Sequence, residues 1–239
     1  MGERLRLCGR AEAKLRAQTG HDSQRLSQPL QLRSPRAGAS VGSGLSESVY
    51  RRVLGAELDL LAPELRPYFD GGQRVGVGSG IFDVAGSPLR ILKPVLAFLA
   101  WQRILFPEYA RSVPFDVVNT PTADGGLGAV RTFHFAGRDR PLQDETRVVD
   151  GRLHDFLGRR GGFEVRMALT VMDGRMQLRS DRQWLHLAGL RLRIPALATV
   201  TVDESWADGQ QHVDVRLHSP LLGYWFRYAG HFTYGYTSR

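Results

Sequence analysis

Across residues 163–171 apolar side chains recur at every second position, the period that turns one face of a β-strand into a core. Asp173-Gly174 supplies a two-residue turn, and Met176, Leu178 and Ser180 resume the alternation against Arg175, Gln177 and Arg179. Residues 213–217 repeat the pattern, and residues 224–232 close the chain with aromatics at most positions. Further strand-like runs occupy residues 81–84, 114–118, 129–135, 142–149 and 153–157. Asp-Gly recurs at 124, 150, 173 and 208, always between such runs, which is the punctuation of an up-and-down meander rather than of parallel βαβ units. Residues 194–197 interrupt the meander as a loop or single helical turn. The expectation is an antiparallel sheet of about eight to ten strands, curled into a barrel or half-barrel. Its concave face is built by alternation from residues such as Val165, Met167, Met176, Val215, Tyr224, Phe226 and Tyr228.

The helical period appears only in the first half, giving an α+β fold with N-terminal helices packed on the sheet. Ser46 or Ser48 can cap a helix whose apolar stripe is Val49, Val53, Leu54, Leu58, Leu60 and Leu61, with Asp70-Gly71-Gly72 as the stop. Residues 88–107 are the most apolar segment. They approach the length that spans a bilayer, but Arg90, Lys93 and Arg103 interrupt them, so no transmembrane span is expected. Two readings stand: a helix that plugs the concave sheet and buries its large side chains, Trp101 among them, or an interfacial helix that meets an apolar ligand or a membrane. Gly76, Gly78 and Gly80 mimic a nucleotide loop, yet a strand follows them and no strand precedes them; they fit a strand that bends or a backbone that approaches closely.

Composition narrows the function classes. A hydrophobic share of 42% suffices for a real core. The net charge of +8 suggests nucleic acid until it is located: residues 1–44 hold eight Lys and Arg against three Asp and Glu, leaving only +3 for the remainder. Residues 1–44 lack any apolar period and read as a disordered basic tail, with 45–239 as a single α+β domain and no nucleic-acid footprint. Cys8 is the sole cysteine, which excludes an internal disulfide, a CxxC pair and a thiolate zinc site, and points to a cytoplasmic setting.

The candidate chemistry is sparse. His134, His154 and His231 lie in strands, but nothing in their spacing brings them to one point, so no metal and no cofactor are predicted. Asp144 and Glu145 face His154 and Asp155 across the Asp150-Gly151 turn, which makes Asp144, Glu145 and His154 the candidates for acid–base catalysis, although an arginine opposite Asp155 is the ordinary outcome. Arg131, Arg166, Arg179, Arg216 and Arg227 occupy the polar positions of their strands, where Glu164, Glu204 and Asp214 can pair with them. If the sheet curls, Arg131 and Arg179 are the two expected to line the cavity and hold a carboxylate or phosphate. Trp184, Tyr224, Phe226 and Tyr228 are the aromatic lining, and Arg131 with Tyr228 forms the polar end of the pocket.

Several marks together resemble a bacterial family, domain-of-unknown-function family 4166. They are the helix over 49–61, Gly80-Ile81-Phe82, Arg131-Thr132-Phe133, the 163–180 hairpin, Arg193-Ile194-Pro195, and Ser219-Pro220-Leu221-Leu222-Gly223 leading to Tyr228-Ala229-Gly230. The resemblance covers about residues 49–232. It implies a stand-alone member of a family also found fused to saccharopine-dehydrogenase-like reductases, hence a reductase partner, and it implies no catalytic residues. Three function classes follow: a non-catalytic pocket for an apolar or acyl-type small molecule tied to reductase-type lipid chemistry, an acid–base enzyme acting on such a ligand, and a structural or dimerising module. A buried carboxylate in the cavity favours the enzyme, a dry cavity with arginine at its mouth favours the binder, and a filled core favours the module.

Overall fold

The computed structural model of the chain describes residues 47–237, so the tail expected at 1–44 and the Ser46 cap lie outside the described residues. Eleven strands follow one another: β1 (Gly76–Gly86), β2 (Tyr109–Pro121), β3 (Leu127–Phe135), β4 (Arg138–Val149), β5 (Arg152–Leu157), β6 (Phe163–Met172), β7 (Arg175–Leu187), β8 (Leu190–Ile194), β9 (Thr199–Ala207), β10 (Gln210–Ser219) and β11 (Gly223–Tyr236). All pairings are antiparallel, and β6 pairs with β7 to close the sheet. The first part of β7 also pairs with β9, whereas its last part pairs with β8. The result is a closed ten-strand barrel from which the β7–β8 hairpin stands off. The helices are few and short, so the expected α+β character shrinks to a barrel with helical plugs.

Asp150-Gly151, Asp173-Gly174 and Asp208-Gly209 each hold two successive residues at positive φ, as two-residue hairpins require. Ala188-Gly189 does the same, which explains why β8 was invisible in the sequence: alanine at positive φ carries no turn signal. The hairpin connecting β2 to β3 is longer, with Gly125 alone at positive φ of its Asp-Gly pair. Glycine is required where strands meet closely. A Cβ on Gly80 would stand 2.1 Å from the His231 carbonyl oxygen, and one on Gly76 would overlap the Tyr234 phenol, so these residues let β11 approach β1.

Ser48 caps α1 (Val49–Leu54), its hydroxyl accepting from the Arg51 amide at 3.0 Å. Gly55 ends that helix and the stripe continues as a 3₁₀ turn (Gly55–Leu60), then α2 (Arg66–Phe69). The single helix expected over 49–61 is therefore broken at Gly55. This segment closes the end of the barrel where β1 begins, called proximal here: the Ala62 amide donates to Gly174 O in the β6–β7 turn, and Arg52 donates to Gly125 O in the β2–β3 turn. Leu58, Leu61, Leu65 and Phe69 pack there against Leu153, Val165, Met167 and Met176.

The opposite, distal end carries α3 (Lys93–Trp101), preceded by a 3₁₀ turn (Arg90–Leu92). The helix is shorter than the 88–107 segment, because Arg103 at positive φ turns the chain and Gln143 and Arg159 donate their amides to the carbonyls of Arg103 and Gln102. Leu96 and Phe106 seal this end against Phe82, Phe115, Phe133 and Phe226. Trp101, expected to be buried, is 62% exposed. The helix plugs the barrel through Leu96, with Leu99 and Ala100 beside it, while Val95, Phe98 and Trp101 point away.

Candidate functional site

Parity in the register decides which side chains enter the barrel. Val117 pairs with Arg131, Arg131 with Leu142, Ala129 with Asp144, and Thr146 with Asp155, so Arg131, Asp144, Thr146 and Asp155 all project inward with their apolar neighbours. On the opposite wall Met176 pairs with Glu204, Glu204 with Val213, and Val215 with Tyr228, which sends Glu204 and Tyr228 inward as well. Tyr68 reaches in from α2 and Asn119 from β2. Between the two apolar plugs lies a polar middle layer.

These groups partner one another. Arg131 forms an ion pair with Asp144, Thr146 Oγ1 donates to Asp155 Oδ1 at 2.7 Å, Gln211 donates to Glu204, and Asn119 Nδ2 donates to the Tyr234 hydroxyl at 3.1 Å. Asn119 Oδ1 is buried and has no partner among the described residues. Packing is not complete either. Arg131 projects into the barrel yet keeps 25% of its side-chain surface accessible, and Tyr68, Asp155 and Tyr228 are likewise only partly buried. Inward side chains that stay partly accessible leave the layer less than fully packed, which the wider interior of a ten-strand barrel allows. At the proximal rim a crevice of about 20 Å³, room for about one water, opens between the plug and the barrel beside Tyr68 and Tyr234.

The enclosure sets the protonation chemistry. Burial, reinforced by the Asp144 charge and opposed by Thr146 and Arg131, raises Asp155 to about 7. Burial raises Glu204 to about 7 against the pull of Gln211 and Arg131. Burial opposes the charge on Arg131, but Asp144 overcomes it and holds the guanidinium well above its ordinary range. Burial pushes Tyr68 and Tyr228 up to about 12, keeping both phenols as donors. The layer thus holds one cation–anion pair, two carboxyls raised toward neutrality, and two neutral hydroxyls.

The sequence candidates separate accordingly. Arg131, Asp144, Phe226 and Tyr228 are brought inside, Phe226 as packed core. Arg179 faces outward and is exposed, because it alternates with inward Leu178 and Ser180. Glu145 faces outward and binds Arg147. Tyr224, expected on the concave face, is 69% exposed: a bulge at Trp225 breaks the alternation and turns the ring onto His218. Asp155, which ordinarily would oppose an arginine, pairs with Thr146. Glu204, Tyr68, Asn119 and Gln211 were missed as site residues; the alternation of Glu204 with Val200 and Val202 was the available signal.

His154 belongs to a second cluster, on the outer wall beneath the β7–β8 hairpin. Glu164 is 1% exposed, and accepts from His154 Nδ1 and His186 Nε2 at 2.6 Å each and from both Nε and Nη2 of Arg191. Trp184 stacks on His154, and Arg191 lies over the Trp184 ring. Burial works against the Glu164 charge, and the bonds from Arg191, His186 and His154 outweigh it, lowering the carboxyl to about 2. Both imidazoles aim at carboxylate oxygens already occupied by a guanidinium, which makes the cluster a clasp. Among the described residues no group of His, Cys, Asp and Glu is arranged to hold a metal ion. His134 is held by Asp116 and Asp139, and His231 stands beside His212. A groove of about 540 Å³ on the outer wall over β7, β9, β10 and β11 is lined by Asp203, Asp214, Arg216 and Arg227, which largely satisfy one another. No helix among the described residues is long and apolar enough to cross a membrane.

Residues 61–232 match the family described as domain of unknown function 4166. The chain is similar to the uncharacterized protein YndH of Bacillus subtilis (strain 168), with 25% identity over 203 residues that cover 77% of this chain and 96% of YndH. No solved structure matches it.

Proposed function

The chain belongs to domain-of-unknown-function family 4166, and from its geometry we propose that it binds a small organic molecule in the barrel chamber, with the polar end of the ligand at Arg131, Asp155 and Tyr228. The observation that carries this is the unfilled polar layer: Asn119 Oδ1 has no partner, and enclosed charged side chains retain accessible surface. Buried polar groups are normally satisfied, and an enclosed space of this kind is held open for water or a ligand. The phenols of Tyr68 and Tyr228 donate, the carboxylate of Asp144 accepts, and Phe82 and Phe133, which pack edge-on against Tyr228, offer an apolar wall to the rest of the molecule. This is an amphipathic ligand rather than a wholly apolar one. The tie to a reductase partner rests on the family resemblance alone.

A second reading is favoured by Asp155 and Glu204, whose carboxyls exchange protons near neutral pH. Such groups suit a general acid or base, and buried carboxylates in the cavity were the feature that separates enzyme from binder. In this reading Asp155 carries the proton and the tyrosines hold a developing oxyanion. The test is a fluorescent fatty-acid probe titrated into wild type and into Arg131→Ala with Tyr228→Phe, with Asp155→Asn in parallel. Binding that weakens at least about tenfold in the double variant supports the chamber; equal binding in both removes it. Asp155→Asn that binds but fails to turn over a ligand wild type converts supports the enzyme.

A further inference from the structure

At the distal end apolar side chains from three unconnected segments point outward. Ile91, Val95, Phe98 and Trp101 repeat at helical spacing on the side of α3 away from Leu96, with exposures between 56% and 82%. Leu187 and Leu190 flank the tip of the β7–β8 hairpin at 60% and 62%, and Leu221 in the β10–β11 turn is 95% exposed. The hairpins alternate between the two ends of an antiparallel barrel, which places these tips with α3 at the distal end. A helix apolar on both sides is ordinarily buried on both, so the outer stripe of α3 lacks its covering phase.

Charge identifies that phase. Arg90, Lys93, Arg159, Arg160 and Arg193 are exposed at this end without a carboxylate partner among the described residues. Of the carboxylates nearby among the described residues, Glu108 is committed to Arg140, Asp139 to His134 and Glu164 to Arg191, which leaves Asp83 as a single uncommitted carboxylate against these five cations. A groove of about 380 Å³ lined by Tyr109, Arg111, Tyr224 and Trp225 continues the combination of aromatic and arginine. A second copy of the chain docking here would bring two sets of unpaired cations together out of water, which is unfavourable. An anionic lipid surface supplies negative headgroups above an apolar phase that accepts separate protruding tips. We propose that the distal end of the barrel docks onto an anionic bilayer, seating α3 and the two hairpin tips at the headgroup–acyl boundary while the five cations meet lipid phosphates.

The experiment is co-flotation of the full chain with vesicles of phosphatidylcholine alone and of phosphatidylcholine with phosphatidylglycerol. Wild type should float with the anionic vesicles, and Arg159→Glu with Arg160→Glu should weaken this by about fivefold or more per charge. Phe98→Asp with Leu221→Asp, both at exposed positions, should lower partitioning at least about tenfold at an unchanged melting temperature. Met172→Asp, equally exposed at the proximal end, serves as the control and should float as wild type does. The proposal is overturned if wild type stays in solution, if Met172→Asp is lost as readily as the distal double variant, or if the distal variant floats undiminished, in which case the basic residues 1–44 carry the attraction.

Discussion

Glu204→Gln should stabilise the protein in mild alkali and leave it unchanged in mild acid. Glu204 is 7% exposed, and burial raises its carboxyl from 4.5 to about 7. The folded state therefore holds a proton that the unfolded chain releases above its ordinary value. The associated stability is complete below pH 4.5, is lost as pH rises, and is gone above about pH 7. At about 1.4 kcal/mol per pH unit the loss reaches about 3 kcal/mol. Glutamine is isosteric, keeps a carbonyl oxygen for the Gln211 donor and never ionises, so the variant escapes that loss. For a domain of this size about 3 kcal/mol corresponds to about 6–12 °C in melting temperature. Thermal unfolding followed by circular dichroism from pH 5 to pH 8 gives both curves. They should lie closest at pH 5 and separate by pH 8 with the variant higher; the fall remaining in the variant belongs to Asp155, raised to about 7 by the same burial, and to His134, raised by its bonds to Asp116 and Asp139. Parallel curves, or a variant less stable at pH 8, would refute a dehydrated chamber carboxyl.

The outer clasp titrates with the opposite sign. Glu164 is lowered from 4.5 to about 2, so its stabilisation is present above pH 4.5 and is lost as pH falls toward 2; acid unfolding should show a loss of at most about 3 kcal/mol, reduced by solvent near the wall, and Glu164→Gln should abolish that dependence. Core packing predicts a contrast at the distal end: Phe106→Ala, at 0% exposure, should cost about 3–5 kcal/mol in denaturant titration, whereas Trp101→Ala should cost under about 0.5 kcal/mol.

Alternation made most of the barrel legible, because a period of two survives in any strand with one wet and one dry face. The same parity argument reached Arg131 and Tyr228, and it would have reached Glu204 had the residue not been assigned to an arginine on the opposite face. What stayed hidden depends on contacts that no local pattern encodes. Arg179 and Arg131 look alike in sequence, and only the pairing of Arg131 with Leu142 and Val117 in the closed register separates them. Tyr224 escaped because a bulge displaces parity by one residue. The Glu164 clasp draws on β5, β6, β7 and β8, and Ala188-Gly189 gave no hint of the hairpin that covers it. The stripe on α3 stayed undecided between core and interface, since an outward-facing apolar residue has the same sequence signature as one packed on protein.

The claim at the centre of the account is that the polar layer inside the barrel is a ligand chamber. Native mass spectrometry of wild type and of Arg131→Ala with Tyr228→Phe, both freshly isolated, addresses it directly. The account predicts an added mass on wild type that dissociates on unfolding and is absent from the double variant, with a released molecule carrying both an apolar part and a hydrogen-bonding head. Bare protein from both, unchanged after exposure to amphipathic lipid extracts, would contradict it and leave the barrel as a structural module.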